Sequence, residues 1–189
     1  MKKTLIAEEA EGGSSNRSGG TSGDDEFFGH SYRDIYHGHA GHDVISGEEG
    51  RDRLRGGTGN DEIYGGTGND RITGGPGDDW LLGDYGTDTL AGGRGADIFY
   101  FYAWGPYGGS ELDIIADFEP GRKGELVHLD IVPGFEIDSF SELRDVMVQD
   151  GKDVVMSFGG LDILVLKDVR IDELRAEHFY FQVTDPDAP

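Results

Sequence analysis

From Gly20 to Tyr100 one large apolar or aromatic side chain recurs at every ninth position: Phe27, Tyr36, Ile45, Leu54, Ile63, Ile72, Leu81, Leu90 and Phe99. Two residues before each of them stands an aspartate, and every nonapeptide opens with glycine. One buried side chain in nine cannot supply the apolar stripe of a helix, which needs three or four per two turns. Positions 7, 8 and 9 of each unit alternate out, in, out, and so predict a strand of about three residues. The preceding six positions are rich in glycine and acid. They predict a turn in which glycine supplies the left-handed backbone. Position 4 is glycine in every unit but one, where Tyr32 stands, and Thr21, His30, His39, Glu48 and Asp84 replace the second glycine. Two units close one turn of a flattened solenoid, with odd units stacked on odd and even on even. The position-8 residues of both sheets then fill one thin core.

Outside 20–100 the pattern changes. Residues 1–19 are polar after Ile6 and predict a disordered arm. Lys2 and Lys3 precede only a four-residue apolar stretch, so no secretory leader is expected there. Residues 101–189 predict strands at 111–118 and 125–131, and a short helix opened by the capping pattern Ser139…Glu142. They also predict a hairpin about Asp150-Gly151, a strand at 162–166 and a second helix near 171–177. On the odd sheet the outward positions include Phe28, Val44, Tyr64, Trp80, Leu82, Ile98 and Tyr100. Such an apolar face predicts that 101–189 packs over its Tyr64–Tyr100 end. The even face instead carries His37, Arg53, Arg55 and Arg71.

Charge adds a metal to this picture. The chain has 38 acidic against 16 basic residues, a formal net charge of −22. Stacking odd on odd and even on even brings Asp25, Asp43, Asp61, Asp79 and Asp97 together on one edge. Asp34, Asp52, Asp70 and Asp88 gather on the other. Rows of carboxylates repel one another unless a cation lies between the turns. Carboxylates mixed with turn carbonyls suit calcium better than magnesium. Up to about seven ions fit the gaps between these aspartates and would reduce the charge from −22 to about −8. Folding and calcium binding then share one free energy. There is no cysteine, and no stretch approaches the roughly 18 apolar residues of a membrane span.

The units GGTGNDEIY at 56–64 and GGTGNDRIT at 65–73, with GGPGDDWLL at 74–82 and GGRGADIFY at 92–100, resemble the calcium-binding nonapeptides of RTX (repeats-in-toxin) proteins. The resemblance implies an all-β fold, a right-handed parallel β-roll with a small mixed α/β C-terminal cap. The run Asp113-Ile114-Ile115-Ala116-Asp117-Phe118 and the hairpin from Asp153 to Leu166 are similar to C-terminal regions of that family. There the tail carries an uncleaved signal for type I export. The resemblance therefore implies a secreted, extracellular protein whose partners include the type I secretion machinery. The expected organisation is an arm at 1–19, the roll at 20–100, and a capping region with the export signal at 101–189.

Two functional classes remain. Four of the six histidines, His30, His37, His39 and His42, fall within thirteen residues, and Arg51, Arg53, Arg55 and Arg71 form a basic patch. The patch could hold a uronate-type polysaccharide or a cell surface, although pairing with Asp52, Glu48 and Glu49 is the simpler expectation. Nucleic acid is disfavoured by the net charge. Alternatively the histidines bind a transition metal. They could also serve a small epimerase-, lyase- or hydrolase-like enzyme in which His37 or His39 exchanges protons with a substrate held by Arg53. His128 and His178 read as structural. Fold alone does not choose between a binding module and an enzyme.

Overall fold

The computed structural model describes residues 3–6, 16–103, 112–131, 137, 139–158 and 162–183. Two nine-stranded sheets face each other. The odd sheet runs, all parallel, through Lys3–Ile6, Asp25–Phe28, Val44–Ser46, Glu62–Gly68, Trp80–Gly86, Ile98–Ala103, Leu126–Ile131 and Phe179–Val183, with Glu49–Gly50 as a side partner. The even sheet runs through Asn16–Gly19, Asp34–Ala40, Arg53–Thr58, Arg71–Pro76, Thr89–Arg94, Leu112–Ile115 and Asp162–Leu166. It ends in an antiparallel hairpin of Asp153–Phe158 and Met147–Asp150. Within the repeats the register advances by two units: Ile45 pairs with Phe27 and Ile63, and Leu54 with Tyr36 and Ile72.

Each position-8 side chain is buried, and two columns form the core. The odd column is Phe27, Ile45, Ile63, Leu81, Phe99, Val127 and Phe179; the even one is Tyr36, Leu54, Ile72, Leu90, Ile115 and Leu166. Ile63 has no exposed surface and sits mid-column, where neighbouring strands cannot collapse into a hole. Ile63→Ala should cost about 2–5 kcal/mol, read by chemical denaturation at saturating calcium.

Several strands are longer than the predicted three residues. Arg53–Thr58 and Arg71–Pro76 continue through positions 1 to 3 of the next unit, so the ladder follows the chain into the turn. Glycine is needed there for close approach. A Cβ on Gly65 would lie 2.4 Å from the Gly83 carbonyl oxygen and 2.8 Å from Asp70 Oδ2. At position 4, Gly68 has φ +141°, and a Cβ would lie 1.5 Å from the Gly50 oxygen. His39, Glu48 and Asp84, three of the five residues replacing the second glycine, keep its left-handed backbone at φ 81°, 68° and 70°. Each such residue costs about 1–2 kcal/mol.

The region after Tyr100 differs from expectation in placement. Its described strands extend both sheets edge-on and lengthen the core columns, instead of lying over the odd sheet's outer face. The outer aromatic strip accordingly continues along the roll. Tyr64, Trp80, Tyr100, His128 and Tyr180 follow one another with ring centroids 4.1–5.4 Å apart. Two stretches of the expected N-terminal arm, Lys3–Ile6 and Asn16–Gly19, are strands paired with the first repeats. The helix opened by Ser139 spans Phe140–Asp145, and Ser139 Oγ donates to Glu142 Oε2 at 2.8 Å. In place of the second helix stand a turn and the 3-10 helix Ala176–His178. Among the described residues no helix is long and apolar enough to cross a membrane.

Candidate metal columns and cationic groove

All nine repeat aspartates are buried, none more than 3% exposed. They are strung together by their own backbone. The amide of Asp25 donates to Asp43 Oδ1 at 2.8 Å, and the same bond links 34 to 52, 43 to 61, 52 to 70, 61 to 79, 70 to 88 and 79 to 97 at 2.7–3.0 Å. The second oxygen has no hydrogen-bond partner: Oδ1 of Asp25 and Asp34, and Oδ2 of Asp43, Asp52, Asp61, Asp70, Asp79, Asp88 and Asp97. Nine buried, unsatisfied carboxylate oxygens would cost several kcal/mol without a counter-charge. Among the described residues no three carboxylate or imidazole side chains converge on one point. Any cation between turns must therefore take oxygens from carboxylates together with backbone carbonyls, and such all-oxygen shells fit calcium.

Two column members lay outside the nonapeptide pattern. Asp88 N donates to Asp113 Oδ1 at 3.1 Å, so Asp113 continues the even column with a spacing of 25 residues instead of 18. Leu126 is the register partner of Ile98, which puts the buried Glu125 beside Asp97 at the end of the odd column. The sequence signal for Asp113 was its place in the strand Leu112–Ile115, directly before a position equivalent to the Thr89 position.

Burial pushes these carboxyls up from the ordinary carboxylate value. Asp61 and Asp70 rise to about 6, and Asp52 and Asp79 to about 7. Asp88 is raised further, by burial and then by the neighbouring Asp113 carboxylate. Donated backbone amides pull the other way and do not compensate.

The four histidines do not converge. His37 and His39 are two apart on one strand, with ring centroids 4.2 Å apart. His30 lies on the other edge, its backbone amide donating to Asp34 Oδ2 at 2.9 Å. His42 belongs to a ladder at position 5: its amide donates to Asp24 Oδ1 at 2.8 Å, and its Nδ1 accepts from Asn60 N at 2.9 Å. Asn60 and Asp78 continue the ladder by accepting from Asp78 N and Ala96 N. Position 5 on the odd edge thus supplies a hydrogen-bond acceptor to the next turn at Asp24, His42, Asn60 and Asp78. The transition-metal reading of the histidine cluster is set aside on this geometry. His128 stacks within the aromatic strip, and His178 Nδ1 accepts from Arg175 N at 3.1 Å.

On the even edge the same position 5 is Arg33, Arg51, Asn69 and Thr87, and here it lines a groove. A depression of about 480 Å³ is bounded by Arg33, Arg51, Arg53 and Arg71, with Asp52 and Asp70 of the even column among its lining residues. It adjoins a second, of about 410 Å³, that shares Arg53 and Arg71 and adds Arg55, His37 and Thr73. The expected pairing of the arginines with Asp52, Glu48 and Glu49 is not found. Among the described residues none of Arg51, Arg53, Arg55 and Arg71 makes an ion pair. Asp52 instead accepts its neighbour's amide within the column, and Glu48 accepts from Ser46 Oγ. His37 is held below the usual imidazole value by burial first, then by His39 and Arg55.

A match to a protein-family model agrees with this geometry. The family model for the RTX calcium-binding nonapeptide repeat (4 copies) matches residues 19–54, 28–63, 46–81 and 64–99. Among solved structures, the chain is similar to the extracellular lipase LipA from Serratia marcescens, with 15% identity and a TM-score of 0.41, over 86% of this chain and 39% of the lipase. It is also similar to the AlgE6R3 subunit from the Azotobacter vinelandii mannuronan C5-epimerase, with 23% identity and a TM-score of 0.43, over 90% of this chain and 84% of that one. The chain therefore spans about two fifths of the length of the lipase. No curated protein sequence matches it. Period, register and family match agree, and residues 19–99 are RTX-type calcium-binding nonapeptide repeats built as a parallel β-roll.

Proposed function

We propose that this chain is a secreted module that folds on calcium and holds an acidic polysaccharide along the arginine groove of the even sheet. The nine repeat aspartates, joined by Asp113, are the carboxylates that take the ions. Export in the unfolded state by type I machinery, followed by folding in extracellular calcium, is the route that fits such a switch. The observation that carries the ligand reading is the groove itself. Arginines without ion pairs among the described residues gather on one face of a chain with net charge −22. Arg53 and Arg71 are register partners on adjacent strands, about 4.8 Å apart. An extended polymer of carboxylate-bearing sugars lying along the roll axis meets them in succession, each able to form a two-pronged bond. Calcium beside Asp52 and Asp70 would sharpen the positive potential of the same groove. A polyphosphate carries denser charge and is repelled more strongly by the rest of the surface.

The test is calorimetric titration with polyuronate oligomers in millimolar calcium. Arg53→Ala/Arg71→Ala should weaken binding at least tenfold while leaving the calcium-induced circular dichroism unchanged. Equal affinity in the double variant would remove the groove from the account. A second reading is favoured by one observation: His37, held below the usual imidazole value by burial and then by His39 and Arg55, lies in the same groove. Such an imidazole could remove a proton from a held sugar. Turnover of a polyuronate that disappears in His37→Ala, with binding retained, would make the groove an active site.

A further inference from the structure

The two carboxylate columns end differently, and the odd one ends on a side chain of opposite charge. Beyond Asp97 the next column member is Glu125, 1% exposed, and its Oε1 accepts from Glu119 N at 2.8 Å. Into this last gap reaches Arg122, from the turn that joins the strands Leu112–Ile115 and Leu126–Ile131. Its Nη1 lies 3.4 Å from Glu125 Oε2 and 3.8 Å from Asp97 Oδ2, and it donates to the Gly93 carbonyl. Its Nη2 lies 2.8 Å from Glu119 Oε1. Two buried carboxylates and one turn carbonyl are the kinds of oxygen that a gap between turns offers a calcium ion, with the Glu119 carboxylate at the periphery. Here a guanidinium that is itself only 23% exposed takes them.

We propose that Arg122 occupies the last odd-edge gap in place of a calcium ion, a built-in cation that closes the column without metal. The proposal rests on the assignment of the repeat aspartates as calcium carboxylates. The chemistry is balanced locally. Arginine stays charged at any pH the protein meets, so one fixed positive charge offsets part of the Asp97–Glu125 charge whether or not calcium is present. A guanidinium is planar and directional, whereas calcium accepts six to eight oxygens in a flexible shell. The substitution therefore fits a gap whose oxygens come from one turn and one strand end, outside the repeating geometry. It also fixes the seam between the roll and the cap by contacts that chelators cannot remove. The Asp88–Asp113 gap on the even edge, by contrast, keeps the aspartate pair and the amide link of the repeats.

Calcium stoichiometry by native mass spectrometry separates the possibilities. Arg122→Gln should bind one more ion than the wild type, because Asp97 and Glu125 then face each other as the other gaps do. Arg122→Gln/Glu125→Gln, which removes a carboxylate together with the cation, should return to the wild-type count. An unchanged count in the single variant, an extra ion that persists in the double, or failure of both to fold at saturating calcium would overturn the proposal. Were the single variant alone unable to fold, recovery of the wild-type count in the double would still support it. A wild type that binds no calcium would instead defeat the calcium assignment itself.

Discussion

Stripped of calcium at neutral pH, the roll is expected to lose its β signal entirely, and millimolar calcium should restore it in one cooperative step that magnesium does not reproduce. The expectation follows from two opposing terms. Each turn contributes two core side chains, and no strand of the repeats exceeds seven residues, so the core is one residue thick. Against it stand nine aspartates buried to within 3% of full exclusion, each with an oxygen that accepts no hydrogen bond, and of these Asp97 has the Arg122 guanidinium beside it. An unpaired buried carboxylate costs several kcal/mol, and the eight without a cation exceed the 5–15 kcal/mol by which typical domains are stable. On the proposed assignment the same atoms become ligands when calcium binds, and binding free energy is folding free energy. Magnesium holds to near-ideal octahedral geometry and keeps its waters, so a gap built of carboxylate pairs and carbonyls suits it poorly. Far-UV circular dichroism of chelated protein, titrated with each ion in parallel, decides the point. Chelated protein already folded at pH 7.5, or equal response to both ions, would show that the columns are neutralised in some other way.

How far this site could be read from sequence differs from residue to residue. The period of nine gave the register directly: once two units make a turn, the partners of Ile63 and the neighbours of Asp61 follow by arithmetic, and the structure has them there. The same arithmetic put Arg53, Arg55 and Arg71 on one face. It could not say that they would be left unpaired, because that depends on distances between flexible side chains, not on spacing. Asp113 and Glu125 escaped because they follow their column neighbours Asp88 and Asp97 by 25 and 28 residues instead of 18, and counting by nine stops at Tyr100. Arg122 sits in a turn whose composition, Glu-Pro-Gly-Arg-Lys-Gly, signals a chain reversal and nothing about its occupant. The strands Lys3–Ile6 and Asn16–Gly19 were illegible for a different reason. Each is only four residues long, and its partner is the edge offered by the first repeats. Position 5 appeared free because its residues vary. Yet Asp24, His42, Asn60 and Asp78 share one property, a side-chain atom that accepts the amide of the next turn.

Acid should do part of calcium's work, and the direction is set by the raised carboxyls. In the metal-free fold burial lifts Asp61 and Asp70 to about 6 and Asp52 and Asp79 to about 7, from an ordinary value of 3.8. The folded chain therefore holds protons that the unfolded chain has already released. Stability from these groups is fully present below about pH 4 and is lost as pH rises through 6 to 7. In chelator, the β signal should grow as pH is lowered from 8 towards 5; stopping there keeps the chain above its isoelectric point near 4.3. In calcium the sign reverses, because the ion takes deprotonated carboxylates and displaces those protons. The calcium midpoint should move to higher concentration as pH falls below 7, by about tenfold per pH unit for each proton displaced per ion. Proton release on calcium addition, measured in weakly buffered solution at pH 6.5, gives the same number independently. A flat chelated signal together with a pH-independent midpoint would mean that the columns stay ionised without metal, and would place their counter-charge elsewhere than between the turns.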